Sequence, residues 1–352
     1  MIVLMQKDAA PAEIEAVIAA IEARGLRALN LPGGEHVAIG IASSIPPDLR
    51  EPLASSLELL AGVDHIVHVS RPYKLASREF RRASTVVEVG GVRFGDAACV
   101  VIAGPCAVES RQQILESAAA VRAGGGCMLR GGAYKPRTSP YSFQGLHEEG
   151  LALLQEAGRE SGLPTVTEVV DPHDVETVAS RADMLQIGAR NMQNYPLLIA
   201  VGRTSHPVLL KRGPSATIDE LLFAAEYILN QGNQRVVLCE RGVHPLDRAY
   251  TRNTLDLNAV PVLKEITHLP VIVDPSHGIG HARHVPAMSR AALAAGADGL
   301  IVEMHPRPRE ALSDGQQSLT PQQFAEMMES LRAVAGAVGR SIARPPEPAS
   351  AA

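Results

Sequence analysis

From Cys99 onward the chain repeats one pattern eight times, and this repeat restricts its fold more than any other feature. Short apolar runs recur at 99–106, 127–132, 164–170, 184–189, 207–212, 235–241, 270–277 and 299–305. Each is nearly continuous and rich in β-branched residues, as in strands buried on both faces of a parallel sheet. Segments of helical length separate most of them, among them 110–123, 147–161, 217–230, 282–295 and 320–338. Eight strand–helix repeats predict an α/β fold of the (β/α)8 TIM-barrel type over 99–340. A doubly wound open sheet is the alternative, but it does not demand eight strands.

The first 70 residues follow another order. MIVLMQ reads as a strand, PAEIEAVIAAIEARG as a helix opened by Pro11 and closed by Gly25, and RALNLPGGEHVAIGIAS as two strands around a Pro-Gly-Gly turn. A second helix near 47–61 and a strand HIVHV complete a ferredoxin-like βαββαβ pattern. Residues 71–98 read as a polar connector followed by a hairpin turning at Gly90-Gly91, and 341–352 as a disordered tail.

Composition sets the class. The chain has 352 residues, 33 Lys and Arg against 38 Asp and Glu, and 46 % hydrophobic residues, which excludes disorder as the dominant state. A net charge of −5 without Lys/Arg blocks argues against nucleic acid as partner. Absence of a long apolar run or a basic-then-apolar leader argues against a membrane. Four cysteines without a CxxC spacing suit a reducing cytoplasm.

Barrel enzymes place their chemistry at the C-terminal ends of the strands. Here those ends carry Cys106, Arg130, Glu168, Arg190, Lys211, Arg241, His277 and Glu303. Strands 7, 8 and 1 are neighbours once a barrel closes, so Cys106, His277 and Glu303 converge, with Asp314 in reach from the next loop. A thiolate, an imidazole and two carboxylates suit one divalent Mn, Fe, Co or Zn ion. The alternative is a buried structural cysteine among unrelated loop charges. Arg130, Lys135, Arg137, Arg190, Lys211 and Arg241 occupy the rest of the mouth, and they would repel one another unless a polyanionic ligand neutralised them. Here the alternative is a set of surface salt bridges to Glu148, Glu149 and Asp171.

The strings AGPCAVES (103–110), LRGGAYKPRTSPYSFQG (129–145), QIGARNMQN (186–194), CERG (239–242), YTRNTLDL (250–257), VDPSHG (273–278) and ALSDGQQSL (311–319) resemble 3-deoxy-D-arabino-heptulosonate 7-phosphate (DAHP) synthase of type I-beta. The resemblance covers about 90–340. It implies a metal-dependent, aldol-type condensation of phosphoenolpyruvate with erythrose 4-phosphate, the first step of the shikimate route to aromatic amino acids. It implies metal ligation by Cys106, His277, Glu303 and Asp314, and catalytic roles for Lys135, Cys106 and His277. Arg130, Lys135, Arg190, Lys211 and Arg241 match the groups that hold phosphoenolpyruvate. Arg137 and Thr138 match the erythrose 4-phosphate side, and Glu168 a carboxylate near the reacting carbon. The N-terminal unit resembles a domain that binds Tyr or Phe as a feedback effector, and the family implies a homo-oligomer, tetramer or dimer.

Three places depart from the family pattern: Tyr134, the run VHPLDRAYTRN with His244 and Pro245, and the extra His281 and His284. They read as loop variation. Two rivals share the barrel. A 3-deoxy-D-manno-octulosonate 8-phosphate synthase would carry an ANRSS-type sequence where this chain has KPRTS. An inactive regulatory barrel would lack part of the complete ligand and cation set. His36, His65 and His68 read as ordinary surface or interface residues.

Overall fold

The computed structural model describes residues 1–31, 37–67, 73–137 and 139–347. They form two compact units, Met1–Ser84 with Ile266–His268, and Thr85–Glu265 with Leu269–Ala352.

The first unit runs β1 (Ile2–Met5), α1 (Pro11–Glu22), β2 (Ala28–Leu31), β3 (Ala38–Ile41), α2 (Pro47–Glu58) and β4 (Val63–Val67). The strands pair antiparallel in the order β2-β3-β1-β4, so the expected ferredoxin-like topology is present. Val17 and Ile21 of α1 and Leu53 and Leu57 of α2 are buried with Val3, Ile39 and Ile41. Strand β4 starts two residues before the predicted HIVHV, with Val63 and Ile66 both buried; they stand three apart because the pairing with β1 shifts register between Leu4 and Met5. His65 is exposed beside Asp64, as a surface histidine, whereas His36 and His68 lie outside the described residues.

The polar stretch expected to be a connector is ordered within this unit from Tyr73 onward. Tyr73, Leu75, Ala76 and Phe80 are buried, and Arg78 N donates to Ile266 O at 3.0 Å. His268, 2 % exposed, meets Leu75 O through Nε2 at 2.7 Å. Burial lowers the His268 pKa from 6.5 to about 4, against the opposing Leu75 carbonyl. The folded pKa lies below the unfolded one, so this group's share of stability is complete above about 6.5 and is lost as pH falls toward 4. Chemical denaturation should therefore show the wild type losing on the order of 3 kcal/mol more than His268→Gln between pH 7 and pH 4. Equal losses would refute this account.

The second unit opens with the predicted hairpin, β5 (Val87–Val89) and β6 (Val92–Phe94). Gly90 and Gly91 take φ of 53° and 82°, the left-handed pair a two-residue turn requires. The barrel follows as β7 (Ala98–Gly104), β8 (Met128–Arg130), β9 (Thr165–Glu168), β10 (Met184–Ile187), β11 (Val208–Lys211), β12 (Val236–Glu240), β13 (Val271–Val273) and β14 (Gly299–Glu303). All neighbours are parallel, and β14 pairs with β7 from Gly299↔Val100 to Glu303↔Gly104. The sheet is a closed barrel of eight strands, which excludes the open sheet.

Helices α3 (Arg111–Gly124), α4 (His147–Ser161), α5 (Val175–Ala179), α6 (Tyr195–Gly202), α7 (Ile218–Leu229), α8 (Ala259–Ile266), α9 (Pro275–Ile279), α10 (Val285–Ala294) and α11 (Pro321–Ala337) belong to this part of the chain. Their starts carry local signals: Ser110 caps α3, and Thr217 with Glu220, and Thr320 with Gln323, form capping boxes on α7 and α11. Val87, Val89, Val92 and Phe94 of the hairpin are buried against inward residues such as Val100, Met128 and Ile301. The hairpin packs beside Pro164 and Pro270, which precede β9 and β13, so it fills the N-terminal end of the barrel. The site is thereby left to the opposite end.

One expectation fails at the C-terminus. The tail predicted to be disordered from 341 begins with β15 (Ser341–Ile342), parallel to the start of β7, and Ala343 N donates to Cys99 O at 2.9 Å. The unsatisfied edge of β7 accepts it, a pairing that proline-rich composition conceals. Among the described residues no helix is long and apolar enough to cross a membrane.

Candidate active site

Each strand delivers a side chain to one mouth, at its last residue for Arg130, Glu168, Lys211 and Glu303 and one to four residues beyond it for Cys106, Arg190, Arg241 and His277. Ligand atoms of Cys106, Glu303 and Asp314 all lie within 4.8 Å of one another. His277 Nε2 joins them, 3.5 Å from Glu303 Oε1 and 3.8 Å from Asp314 Oδ2. Cys106 Sγ is 3.0 Å from Ser313 Oγ and donates to Asp314 Oδ2 at 3.4 Å. Cys106, His277 and Glu303, nominated from strand ends, and Asp314, from the following loop, therefore lie together in one cluster.

The donors are held as a ligand set needs. Asp274 caps α9 by accepting His277 N at 2.9 Å, and its Oδ2 lies 2.8 Å from His277 Nδ1. A carboxylate behind one ring nitrogen turns the other, Nε2, toward the cluster. Burial lowers the His277 pKa despite Asp274 and Glu303, which favours the neutral, ligating imidazole. Glu303 is fully buried; Gln317 Nε2 donates to its Oε2 at 2.6 Å, while Oε1 has no hydrogen bond, although Arg130 Nη2 approaches to 3.1 Å. A buried carboxylate oxygen left open beside a thiol, an imidazole and a second carboxylate fits a divalent cation. Burial and Glu303 push the Cys106 thiol up to about 11, against the pull of Lys135. Burial also acts upward on Asp314, but Arg252 and His277 outweigh it and hold that carboxyl at about 2.

A cavity of about 390 Å³ opens beside this cluster. Arg130, Lys135, Arg137, Arg190, Lys211 and Arg241, the six cations picked from the sequence, all line it, together with Arg248 and Arg252. Only Glu168 and Asp314 oppose these eight among the lining residues. Two buried nitrogens of Arg130, Nε and Nη1, and Nη2 of Arg137 have no hydrogen-bond partner. Lys211 Nζ meets Asp274 Oδ2 at 2.5 Å, and Arg190 donates to Pro136 O at 2.5 Å. Burial opposes the Lys135 charge, yet Cys106, Glu168 and Glu303 outweigh it and raise its pKa; its Nζ lies 3.1 Å from Cys106 Sγ. The expected alternative of salt bridges to Glu148, Glu149 and Asp171 is wrong for these cations: Arg130 pairs with Glu303, Lys211 with Asp274, and Asp171 with His173. Thr138 lies outside the described residues.

Of the sequence departures, His244 lines the cavity, whereas His284 accepts from Arg283 on the surface. Reading one residue per strand end missed Asp274, Arg248, Arg252, Ser313 and Gln317. Asp274, Arg252, Ser313 and Gln317 stand inside VDPSHG, YTRNTLDL and ALSDGQQSL, so the signal was motif membership, and loop residues have no strand-end position to betray them.

The sequence model of the DAHP synthetase I family matches residues 58–338, and that of the DAHP synthase ferredoxin-like domain matches residues 1–71. A phospho-2-dehydro-3-deoxyheptonate aldolase from Thermotoga maritima is 47 % identical over 96 % of this chain and 99 % of its own length. A 2-dehydro-3-deoxyphosphooctonate aldolase from Syntrophobacter fumaroxidans is 34 % identical over 69 % of this chain and 90 % of its own. The crystal structure of the Thermotoga maritima DAHP synthase superposes with a TM-score of 0.77 at 45 % identity, covering 97 % of this chain and 99 % of that one. With both its barrel and its ferredoxin-like unit matched, the chain belongs to the DAHP synthetase I family.

Proposed function

We propose that the chain joins phosphoenolpyruvate to erythrose 4-phosphate at this mouth, giving DAHP and phosphate, with the residue roles expected from the sequence. The observation that carries the reading is the contact between a four-donor cluster and a cavity lined by eight cations. Two anionic substrates need such a lining, and holding both at attack distance removes several kcal/mol of the barrier.

Cys106, His277, Glu303 and Asp314 would hold the divalent ion, Mn, Fe, Co or Zn. When bound it supplies Lewis acidity toward the aldehyde oxygen. Arg130, Lys211, Arg190 and Arg241 bind the phosphate and carboxylate of phosphoenolpyruvate; the open nitrogens of Arg130 are suited to an oxyanion fork. Arg137, with Thr138, binds the phosphate of erythrose 4-phosphate, and Glu168 orients the reacting carbon. C3 of the enol phosphate then attacks the aldehyde carbon, and Lys135, kept protonated by its acidic neighbours, gives its proton to the new alkoxide. Water adds at C2, the C2–O bond breaks, and phosphate leaves.

The N-terminal unit is read as the site of a Tyr or Phe effector, and the protein as a cytoplasmic homo-oligomer, a tetramer or dimer. Four cysteines that are all free and buried suit a reducing compartment. The test is an aldehyde competition assay, repeated with Tyr and with Phe added. Erythrose 4-phosphate should be preferred over arabinose 5-phosphate; the opposite preference would support the octulosonate reading favoured by the 34 % relative.

A further inference from the structure

We propose that Arg252 is a positioning residue that aims both metal-binding carboxylates at the cluster, Asp314 directly and Glu303 through Gln317. This rests on reading Cys106, His277, Glu303 and Asp314 as metal ligands.

A carboxylate has two oxygens, and a site of this kind needs one of them occupied elsewhere so that the other faces the ion. Both carboxylates here are arranged in that way, and both arrangements lead to Arg252. Its Nη1 donates to Asp314 Oδ1 at 3.1 Å, which leaves Oδ2 toward Cys106 and His277. The same nitrogen donates to Gln317 Oε1 at 2.6 Å, and Gln317 Nε2 donates to Glu303 Oε2 at 2.6 Å, which leaves Oε1 toward His277.

The direction of this relay follows from donor chemistry. A guanidinium can only donate, so the face of the Gln317 amide beside Arg252 must be the carbonyl. The NH2 group is thereby forced toward Glu303. Gln317 is fully buried, so water cannot supply the missing acceptor contact and leave the amide free to turn over. The Glu303 carboxylate, which can only accept, demands the same orientation from the other side, and Arg252 holds the carbonyl end so that the amide is fixed between the two.

Arg252 is itself tied to the turn that carries the third ligand. Its N donates to Ile279 O at 3.1 Å, Asn253 N donates to Gly278 O at 3.0 Å, and Asn253 Nδ2 donates to His277 O at 2.7 Å. Gly280, at φ 80°, sits where any Cβ would collide with the stem of Arg252. The strap 252–253 thus spans His277, Asp314 and Glu303 in one bonded unit. Asp314 takes φ 54°, a left-handed backbone that aspartate adopts more readily than most non-glycine residues.

The competing role for Arg252 is that of an ordinary anion contact, since it also lines the cavity. Cobalt(II) titration of the metal-stripped protein separates the two. The thiolate-to-cobalt absorption band reads Cys106 bonding without any turnover. Arg252→Met should weaken cobalt binding by about 10–100-fold, as loss of such outer partners does. Gln317→Leu should weaken it through the Glu303 arm alone, and the double variant should be no weaker than Arg252→Met. Arg252→Lys should recover only part, because the shorter lysine stem does not carry its ammonium as far as the position of Nη1, from which both acceptors are reached. Should Arg252→Met not fold, Gln317→Leu still decides the relay. Unchanged cobalt affinity in Arg252→Met, whether or not the KM for erythrose 4-phosphate rises, overturns the proposal. Cys106→Ala is the control on the reading beneath it: if that variant keeps the band and the affinity, the ligand assignment has failed, and not merely the positioning role.

Discussion

Cys106→Ala is expected to lower kcat by about 10³-fold or more at every concentration of added divalent metal, while the melting temperature stays near that of the wild type. The size follows from what the thiol would hold in place. Lewis-acid stabilisation of a developing alkoxide is worth several kcal/mol, and each 1.36 kcal/mol is a factor of ten in rate. The structural cost of the same substitution is far smaller. The side chain is 2 % exposed but loses only one sulfur atom, and of the partners left behind Asp314 keeps Arg252 while Ser313 loses one hydroxyl contact. A buried structural cysteine would give the opposite pattern, a lower melting temperature with turnover retained. The wild type should also lose activity to a chelator and regain it on adding metal. Full activity with chelator present sinks the metal assignment.

The prospects for reading this site from sequence differed from element to element. Barrel strands were legible because burial on both faces makes them continuous apolar runs: seven of the eight predicted runs contain their observed strand, as 207–212 contains Val208–Lys211, and β7 begins one residue before its run, at Ala98. Their parallel order then placed Cys106, His277 and Glu303 side by side, since β14 closes onto β7 and β13 lies next to it. Short elements were not legible. Helices α5 and α9 have five residues each, too few for a 3.6-residue period to show, and α9 owes its place to Asp274 capping Pro275.

The same limit explains the missed residues. Asp274 follows β13 directly and was passed over for His277 three positions on, although the two side chains work as a pair at 2.8 Å. Arg252 and Gln317 come from loops 65 residues apart, and only folding makes them neighbours. The tail shows the converse case. Its proline-rich composition is that of a solvated segment, but Arg340 donates to Ala97 O, Ala297 O and Asp96 O and so delivers Ser341 to the edge of β7. Net charge misled in its own way: a chain at −5 concentrates eight cations around one cavity, because the balancing carboxylates lie elsewhere on its surface or are spent inside pairs such as Lys211–Asp274.

The second large effect belongs to Lys135. Its Nζ donates to Cys106 O at 3.0 Å and lies 3.1 Å from the sulfur, so it reaches the edge of the donor cluster, and it also lines the cavity. Burial opposes the charge of this ammonium, but Cys106, Glu168 and Glu303 outweigh it and raise the Lys135 pKa. That combination gives a proton donor held beside the place where an alkoxide forms, and positioned general acids contribute about 10²–10⁴ in rate. Lys135→Gln is therefore expected to lower kcat within that range while the KM for phosphoenolpyruvate changes less, because Arg130 and Lys211 still hold the anion. Cobalt binding should persist, since the thiol, the imidazole and both carboxylates remain. Lys135→Arg separates charge from proton transfer. Arginine keeps the positive charge but is a poor acid at neutral pH, so it should rescue substrate binding and leave kcat low. A Lys135→Arg enzyme with wild-type kcat would mean that this side chain acts through its charge alone, and the proton would then have to come from water in the cavity.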